Sequence, residues 1–276
     1  ANKGEGLGNQ FLANIREVDA ILYVLRFFKD ENVINIRSEI NPIKDKEILD
    51  IEMALKDLNT VQKRIDAVQK KMRSGVSKEQ QKELELLNRS KTLLEQGKVL
   101  IDQNFSMEEL EILKPYQLLT LKKRIYLLNG EEKDISLETK NEFEKNHWDY
   151  IMINIKEELD AEGLSDKERE ELGLTKTKLD ILIEKCYRVL NLITFLTTGE
   201  DETRAWTLKE GSLAKDAGGV IHTDFKENFI KADVINWKDL YDSETFAEAR
   251  AKGLIRTEGK EYIVKDGDVI EIKSNA

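Results

Sequence analysis

The chain has 276 residues, enough for two domains or one large composite domain. Charged residues make up 36% and hydrophobic residues 40%, the balance of a soluble globular protein with long exposed helices. A net charge of -10 excludes wholesale coating of nucleic acid but leaves room for a local basic patch, and Cys186, as the only cysteine, excludes an intramolecular disulfide and a Cys-based zinc site.

No apolar run approaches the roughly 20 residues needed to span a bilayer, so a membrane partner is not expected, and a reduced cytoplasmic setting is the natural reading. The opening Ala1-Asn2-Lys3-Gly4 has no initiator Met and no signal peptide, and reads as the middle of a longer protein. A glycine-rich loop, Lys3 to Asn9, precedes a short helix at Phe11 to Arg16. Ala20-Ile21-Leu22-Tyr23-Val24-Leu25 is a continuous apolar run of the kind found in a strand covered on both faces. Asn41-Pro42 ends this extended region.

From about Lys44 to Asn104 the pattern becomes helical. Ile48, Ile51, Leu55, Leu58, Val61, Ile65, Val68 and Met72 recur in steps of three and four. Ser74-Gly75-Val76-Ser77 breaks the run, and a second helix carries Leu84, Leu87, Leu94 and Ile101. Two long helices joined by a tight turn predict an antiparallel hairpin. The segment holds 13 Lys and Arg against 11 Asp and Glu, with Lys63, Arg64, Lys70, Lys71 and Arg73 crowded toward its tip. Two readings of those cations stand side by side: a solvated helix face, or an arm that contacts phosphates.

An α/β pattern then resumes: a helix at Glu108 to Leu113, a strand at Arg124 to Leu128, a helix at Leu137 to Asn146, a strand at Tyr150 to Ile153 and an amphipathic helix at Lys178 to Leu190. From about Asn191 short β-rich runs alternate with turn signals such as Gly218-Gly219. These runs are Leu192 to Leu196, Thr203 to Thr207, Ala232 to Ile235, Tyr262 to Val264 and Val269 to Ile272. A short helix at Ala247 to Ala251 completes a small mixed sheet with one or two helices.

The most informative tetrapeptide is Asn129-Gly130-Glu131-Glu132, directly after the apolar run Ile125 to Leu128. A P-loop NTPase places its base-reading motif at that point. The GTPase form is Asn-Lys-x-Asp, whose Asp accepts two hydrogen bonds from guanine N1–H and N2–H2. Adenine presents an acceptor at N1 and a donor at N6, so the pattern is reversed. Here the fourth residue is Glu132 and the Lys is gone, and a site built on paired hydrogen bonds discriminates strongly once the pattern changes. Asn-x-x-Glu therefore points away from guanine. The two histidines, His147 and His222, stand in different regions and make no metal constellation.

With these residues the chain resembles the YchF-type, Obg-like ATPases of the translation-factor class of P-loop NTPases. The opening Lys3 to Leu12 is similar to the family's segment after the Asp-x-x-Gly of switch II. Thr203-Arg204-Ala205-Trp206-Thr207, Gly219 to Phe225 and Glu258 to Val269 resemble its C-terminal TGS domain. The resemblance implies an α/β fold: a partial P-loop NTPase core interrupted by an antiparallel helical hairpin (coiled coil), followed by a β-grasp TGS domain. It divides the chain into residues 1–43, partial G domain; 44–104, hairpin; 105–190, the rest of the G domain; and 191–276, TGS domain. It further implies ATP in preference to GTP, read by Asn129 and Glu132, with Asn154, Ile155 and Lys156 as the opposite wall of the base pocket. Ribosomes, through rRNA and ribosomal protein, are the implied partners, and DNA is not.

Two departures from the family pattern bear on catalysis. The Gly-x-x-x-x-Gly-Lys-Ser/Thr loop, switch I and the Asp-x-x-Gly, which hold the phosphates and Mg²⁺, are not found in these 276 residues. The chain alone is therefore expected not to hydrolyse ATP, and Mg²⁺ is expected only together with those elements. In addition, Asp30-Glu31-Asn32-Val33-Ile34-Asn35 places Asn35 where the family carries a His proposed to assist hydrolysis; Asn can orient water but cannot exchange a proton near neutral pH. The expectation is a slow ATPase switch on the ribosome. The alternative is a non-catalytic RNA- or ribosome-binding adaptor that uses the hairpin and the TGS domain.

Overall fold

The computed structural model describes residues 14–30, 32–33, 39–73, 75–171, 177–199 and 202–275. The chain divides into two compact units, Ala1–Cys186 and Tyr187–Ala276. In the first, β1 (Ala20–Arg26), β2 (Lys123–Asn129) and β3 (Tyr150–Ile153) form a parallel sheet in the order β1-β2-β3. Strand β2 is central, and Ile125, Tyr126, Leu127 and Leu128 are all buried, so it has the unbroken apolar run of a strand packed on both faces. One face carries Tyr23, Leu25, Phe27, Tyr126, Leu128 and Phe143 as a single core. The rings of Tyr126, Phe143 and Trp148 meet edge to face in this core, with Tyr126–Phe143 centroids at 5.5 Å and Phe143–Trp148 at 5.2 Å.

Strand β1 departs from the expectation of cover on both faces. Tyr23 and Leu25 are buried, but Leu22 and Val24 are 39% and 53% exposed. The reason is topological: β1 lies at the sheet's edge, and Leu22 and Val24 pair with Ile125 and Leu127 at the margin of the opposite core.

Helix α1 (Pro42–Met72) starts at Asn41, whose side chain accepts from the Ile43 and Lys44 amides at 3.1 Å, with Pro42 in the first turn where its missing N–H costs nothing. Helix α2 (Lys78–Glu95) opens with a capping box between Ser77 and Gln80. The two helices bury Ala54, Val61, Ile65, Val68, Leu86, Leu87 and Leu94 together. Helix α2 ends before Ile101: Gly97 adopts φ +70, its amide bonds the Leu94 carbonyl at 2.9 Å, and the chain turns out of the helix. Ile101 lies instead in a short 3-10 turn, Leu100–Asp102.

The buried stripe of α1 differs from the apolar one in its first half. Ile51 and Leu55 are 47% and 55% exposed, while Lys46, Asp50, Ala54 and Asp57 are buried. Asp50 accepts from the Tyr23 hydroxyl at 2.8 Å, Lys46 Nζ at 2.7 Å and Arg124 Nη1 at 3.1 Å, and Arg124 Nη2 donates to Asp102 at 2.5 Å. The Lys46 ammonium also lies 3.8 Å from the centre of the Trp148 ring. Asp57 accepts from the Leu119 amide at 2.9 Å and from the Thr120 amide and hydroxyl, both at 2.7 Å. Charges can be buried here because each meets opposite charge or several donors.

Short helix α3 (Met107–Leu113) leads toward β2. Helix α4 (Leu137–Lys145) links β2 to β3, and α5 (Ile155–Glu162), α6 (Asp166–Glu171) and α7 (Lys178–Leu190) follow β3; the boundary between the units falls within α7.

The second unit is a five-stranded mixed sheet in the order β5-β4-β8-β6-β7, from β4 (Leu192–Thr198), β5 (Thr203–Lys209), β6 (Phe229–Asn236), β7 (Arg256–Glu258) and β8 (Asp268–Ser274). The β4–β8 pair is parallel and the other pairs are antiparallel. Ile193, Phe195, Leu208, Ala232, Val234 and Ile270 face helix α8 (Ala214–Ile221) in one core. Gly218-Gly219, a turn signal in the sequence, lies inside α8. The next helix, α9 (Thr223–Glu227), folds back so closely that a Cβ on Gly218 would stand 3.1 Å from the Phe225 carbonyl oxygen. Tyr262 to Val264, expected as β, makes only an isolated bridge between Ile263 and Leu213. Helices α10 (Trp237–Asp242) and α11 (Phe246–Ala251) complete the unit.

Candidate functional site

In a parallel sheet, ligands bind in the crevice outside the carboxyl ends of the strands. The first unit has a cleft of about 780 Å³ at that end. Its apolar surface comes from Phe27 and Phe28, which follow β1, from Val33, and from Ile155 and Leu159 on α5; Asn129 at the end of β2 supplies a carboxamide.

Backbone bonds set this geometry. The Phe27 amide donates to the Asn129 carbonyl at 3.0 Å, and the Gly130 amide donates to the Ile153 carbonyl at 3.0 Å, so the ends of all three strands are tied together. Gly130 has φ +154, and a Cβ there would sit 2.8 Å from the Phe27 ring; only glycine fits. The Asn129 side-chain oxygen accepts from the Ile155 amide at 3.2 Å. That bond directs the carboxamide and leaves its NH₂ without a partner among the described residues. Asn154 caps α5 by accepting from the Lys156 and Glu157 amides at 3.2 and 3.4 Å, so the first three amides of this helix are all occupied by side chains.

The loop after β1 is organised by Arg26. Its guanidinium donates to the carbonyls of Phe28, Val33 and Asp30 at 3.0, 3.1 and 3.1 Å and lies 4.5 Å from the centre of the Phe28 ring. Asp30 turns the chain by accepting from the Asn32 amide at 2.8 Å.

Asn129, Asn154, Ile155 and Lys156 thus share one cleft. Glu132 is not among its lining residues: it starts a single 3-10 turn, and its carboxylate pairs with Lys140 on α4 at 3.0 Å. The acids that line the cleft are Glu131, paired with Lys133 at 2.5 Å, and Asp134, with Asp30 across from them. Asn35 lies outside the described residues. Phe27, Phe28 and Val33 were missed by sequence reasoning, although the position of Phe27-Phe28 directly after β1, at the same sheet end as Asn129, is a readable signal.

The cations at the hairpin tip do not act alike. Arg64 donates to Glu83 at 3.0 Å and to the Tyr116 hydroxyl at 3.1 Å and lies over the Tyr116 ring, so it is committed to packing within the unit. Lys63, Lys70, Lys71 and Arg73 are exposed. His222 is exposed and caps α9, its Nδ1 accepting from the Asp224 amide at 3.3 Å. No group of three or more His, Cys, Asp or Glu among the described residues could hold a metal ion, and none of the described helices is long and apolar enough to cross a membrane.

A cleft with a flat apolar wall, a donor amide and a rim of mixed charge can hold a planar heterocycle and read one hydrogen-bonding edge. A family model, YchF-GTPase_C, described as a protein of unknown function (DUF933), matches residues 192–275. The ribosome-binding ATPase YchF of Bacillus subtilis is 38% identical over 291 residues, an alignment that covers 100% of this chain and 78% of that protein. Its Escherichia coli O157:H7 counterpart is 39% identical over 284 residues with the same coverage. The solved structure of the Schizosaccharomyces pombe YchF GTPase superposes with a TM-score of 0.85 at 32% identity, covering 99% of this chain and 77% of that one. Both are mixed α/β folds built on a parallel sheet with helices.

Proposed function

The chain belongs to the YchF family, and we propose that it binds ATP in the cleft beyond β1 and β2 and acts at the ribosome as a nucleotide-dependent switch. The observation that carries this reading is the Asn129 carboxamide, fixed by the Ile155 amide at 3.2 Å with its NH₂ unpaired among the described residues and in one cleft with Phe27 and Phe28. A fixed donor suits an acceptor nitrogen of adenine, and the aromatic side chains give the base a surface to stack on. Glu132 joins the base only when it leaves Lys140. That pair is solvent-facing, with the Glu132 side chain 69% exposed, and opening such a pair costs less than about 1 kcal/mol. We assign hydrolysis, and the Mg²⁺ that the resemblance implies, to the P-loop, switch I and Asp-x-x-Gly elements not found in these 276 residues, and propose that this chain alone turns over no ATP.

Calorimetric titration with ATP, GTP and adenosine tests the reading. ATP should bind in preference to GTP, Asn129→Ala should weaken ATP by about tenfold, and Lys140→Ala, which frees Glu132, should not weaken it. Equal affinity for ATP and GTP, or none for either, refutes the switch and leaves the adaptor. For the ribosome, we assign the contact to Lys63, Lys70, Lys71 and Arg73. Charge reversal of Lys70, Lys71 and Arg73 should lower co-sedimentation with ribosomes and flatten its salt dependence; an unchanged salt slope removes the hairpin tip from the interface.

A further inference from the structure

We infer that the second unit carries a docking groove for a short basic peptide segment, built on α10 and separate from the nucleotide cleft. The groove encloses about 580 Å³. Its floor is apolar, formed by Leu196 on β4, Val269 on β8 and Leu240 on α10. Trp237 and Tyr241, one helical turn apart, rise from it and are 51% and 78% exposed.

Local packing fixes the Trp237 side of the groove. The Trp237 amide donates to the Gly267 carbonyl at 2.8 Å, and the indole lies so close to Gly267 that a Cβ there would fall 2.4 Å from Cδ1. Glu244, which lines the groove, follows the C-cap Ser243 of α10 and has φ +59. Helices usually end on glycine at this position because a side chain in the left-handed region is strained. Here a carboxylate stands at the groove instead.

Charge selects the occupant. Glu244 is the charged residue that lines the groove, and Asp239 and Asp242 stand on α10 outside its lining. None of these three carboxylates has an ion-pair partner among the described residues; Lys238 is the single cation of α10, and Arg204, beside the groove residue Thr203, lies over the Trp206 ring. Two exposed rings beside the unpaired Glu244 carboxylate attract a guanidinium or ammonium through the ring faces and through direct charge. The apolar floor takes the neighbouring aliphatic side chain. The same carboxylates repel a phosphate backbone, which argues for a basic peptide over RNA.

The test uses the full chain and three probes: an acetylated octapeptide of alternating leucine and arginine, the same peptide with glutamate for arginine, and an octauridylate. The basic peptide should bind saturably and shift the Trp237 indole and the Thr198 and Thr203 amides in NMR spectra. Tyr241→Ala and Glu244→Gln should each weaken it by about threefold. Glu244→Gly should weaken binding equally while holding or raising the melting temperature, because it relieves the strained backbone; a merely structural Glu244 would not separate the two readouts. Equal binding of the acidic peptide, preference for octauridylate, or unchanged affinity in Tyr241→Ala and Glu244→Gln would overturn the inference.

Discussion

Replacing Asp57 measures how firmly the hairpin is tied to the strand that carries Asn129. Asp57 is fully buried, and its carboxylate accepts from the Leu119 amide, the Thr120 amide and the Thr120 hydroxyl at 2.9, 2.7 and 2.7 Å. In Asp57→Ala the hydroxyl can turn to another acceptor, but the two amides stay buried without partners. Each such donor costs about 1–3 kcal/mol. Removing a buried charge returns part of that, so a net loss of about 3 kcal/mol is expected. Asp57→Asn keeps one acceptor oxygen and should lose about half as much. Urea denaturation gives the totals, and hydrogen exchange at the Leu119 and Thr120 amides should rise in both variants. A loss below about 1 kcal/mol in Asp57→Ala, with unchanged exchange, would refute the reasoning. The pH dependence has a definite sign. Burial raises the Asp57 carboxyl pKa, against the lowering effect of the Thr120 and Leu119 hydrogen bonds. Between its unfolded value of about 4 and the raised folded value, the native state binds a proton that the unfolded state does not. The contribution of this group therefore becomes more favourable as pH falls through that window, and the stability gap between wild type and Asp57→Asn should widen there.

Gly130→Ala combines a φ of +154 with a Cβ 2.8 Å from the buried Phe27 ring; it should lose about 2 kcal/mol or more and weaken cleft ligands, and an unchanged melting temperature would contradict the packing described. The Tyr126 hydroxyl is buried without a partner among the described residues, so Tyr126→Phe should be neutral or stabilise by about 1 kcal/mol in urea denaturation, and a clear loss would mean that the hydroxyl is bonded. Asp50→Asn leaves Lys46 and Arg124, whose side chains are 5% and 4% exposed, short of an anion, and should cost about 3–5 kcal/mol; a loss under about 1 kcal/mol would show that the cluster is not a coupled unit.

Strand β2 was legible because a central strand must be apolar throughout, and the run Ile125 to Leu128 has no other ready reading. Helix α7 was legible because its amphipathic spacing is regular. The buried face of α1 was only half legible. Lys46, Asp50, Ala54, Asp57, Val61, Ile65 and Val68 continue one three-and-four rhythm, but a search for apolar residues settles on Ile51 and Leu55 instead. What justifies the polar members lies far along the chain: Arg124 is 74 residues from Asp50 and Thr120 is 63 from Asp57. Spacing within a helix carries no information about such partners. Gly218-Gly219 misled for a similar reason, since the close approach of Phe225 that favours glycine exists only after α9 folds back. At the cleft, Asn129 stood out by its place after a strand, whereas the choice of Lys140 as partner for Glu132 depends on how α4 packs.

Arg26 ends β1, yet its guanidinium decides the course of the residues beyond it. Three carbonyls converge on one planar fork, which ties the residues of the aromatic wall to the end of β1. A lysine could satisfy those acceptors only as a mobile point charge and would leave the wall an ensemble of outlines. Rigidity on this side of the cleft is thus concentrated in a single side chain, and its loss would be felt as slower, less selective capture long before the domain itself came apart.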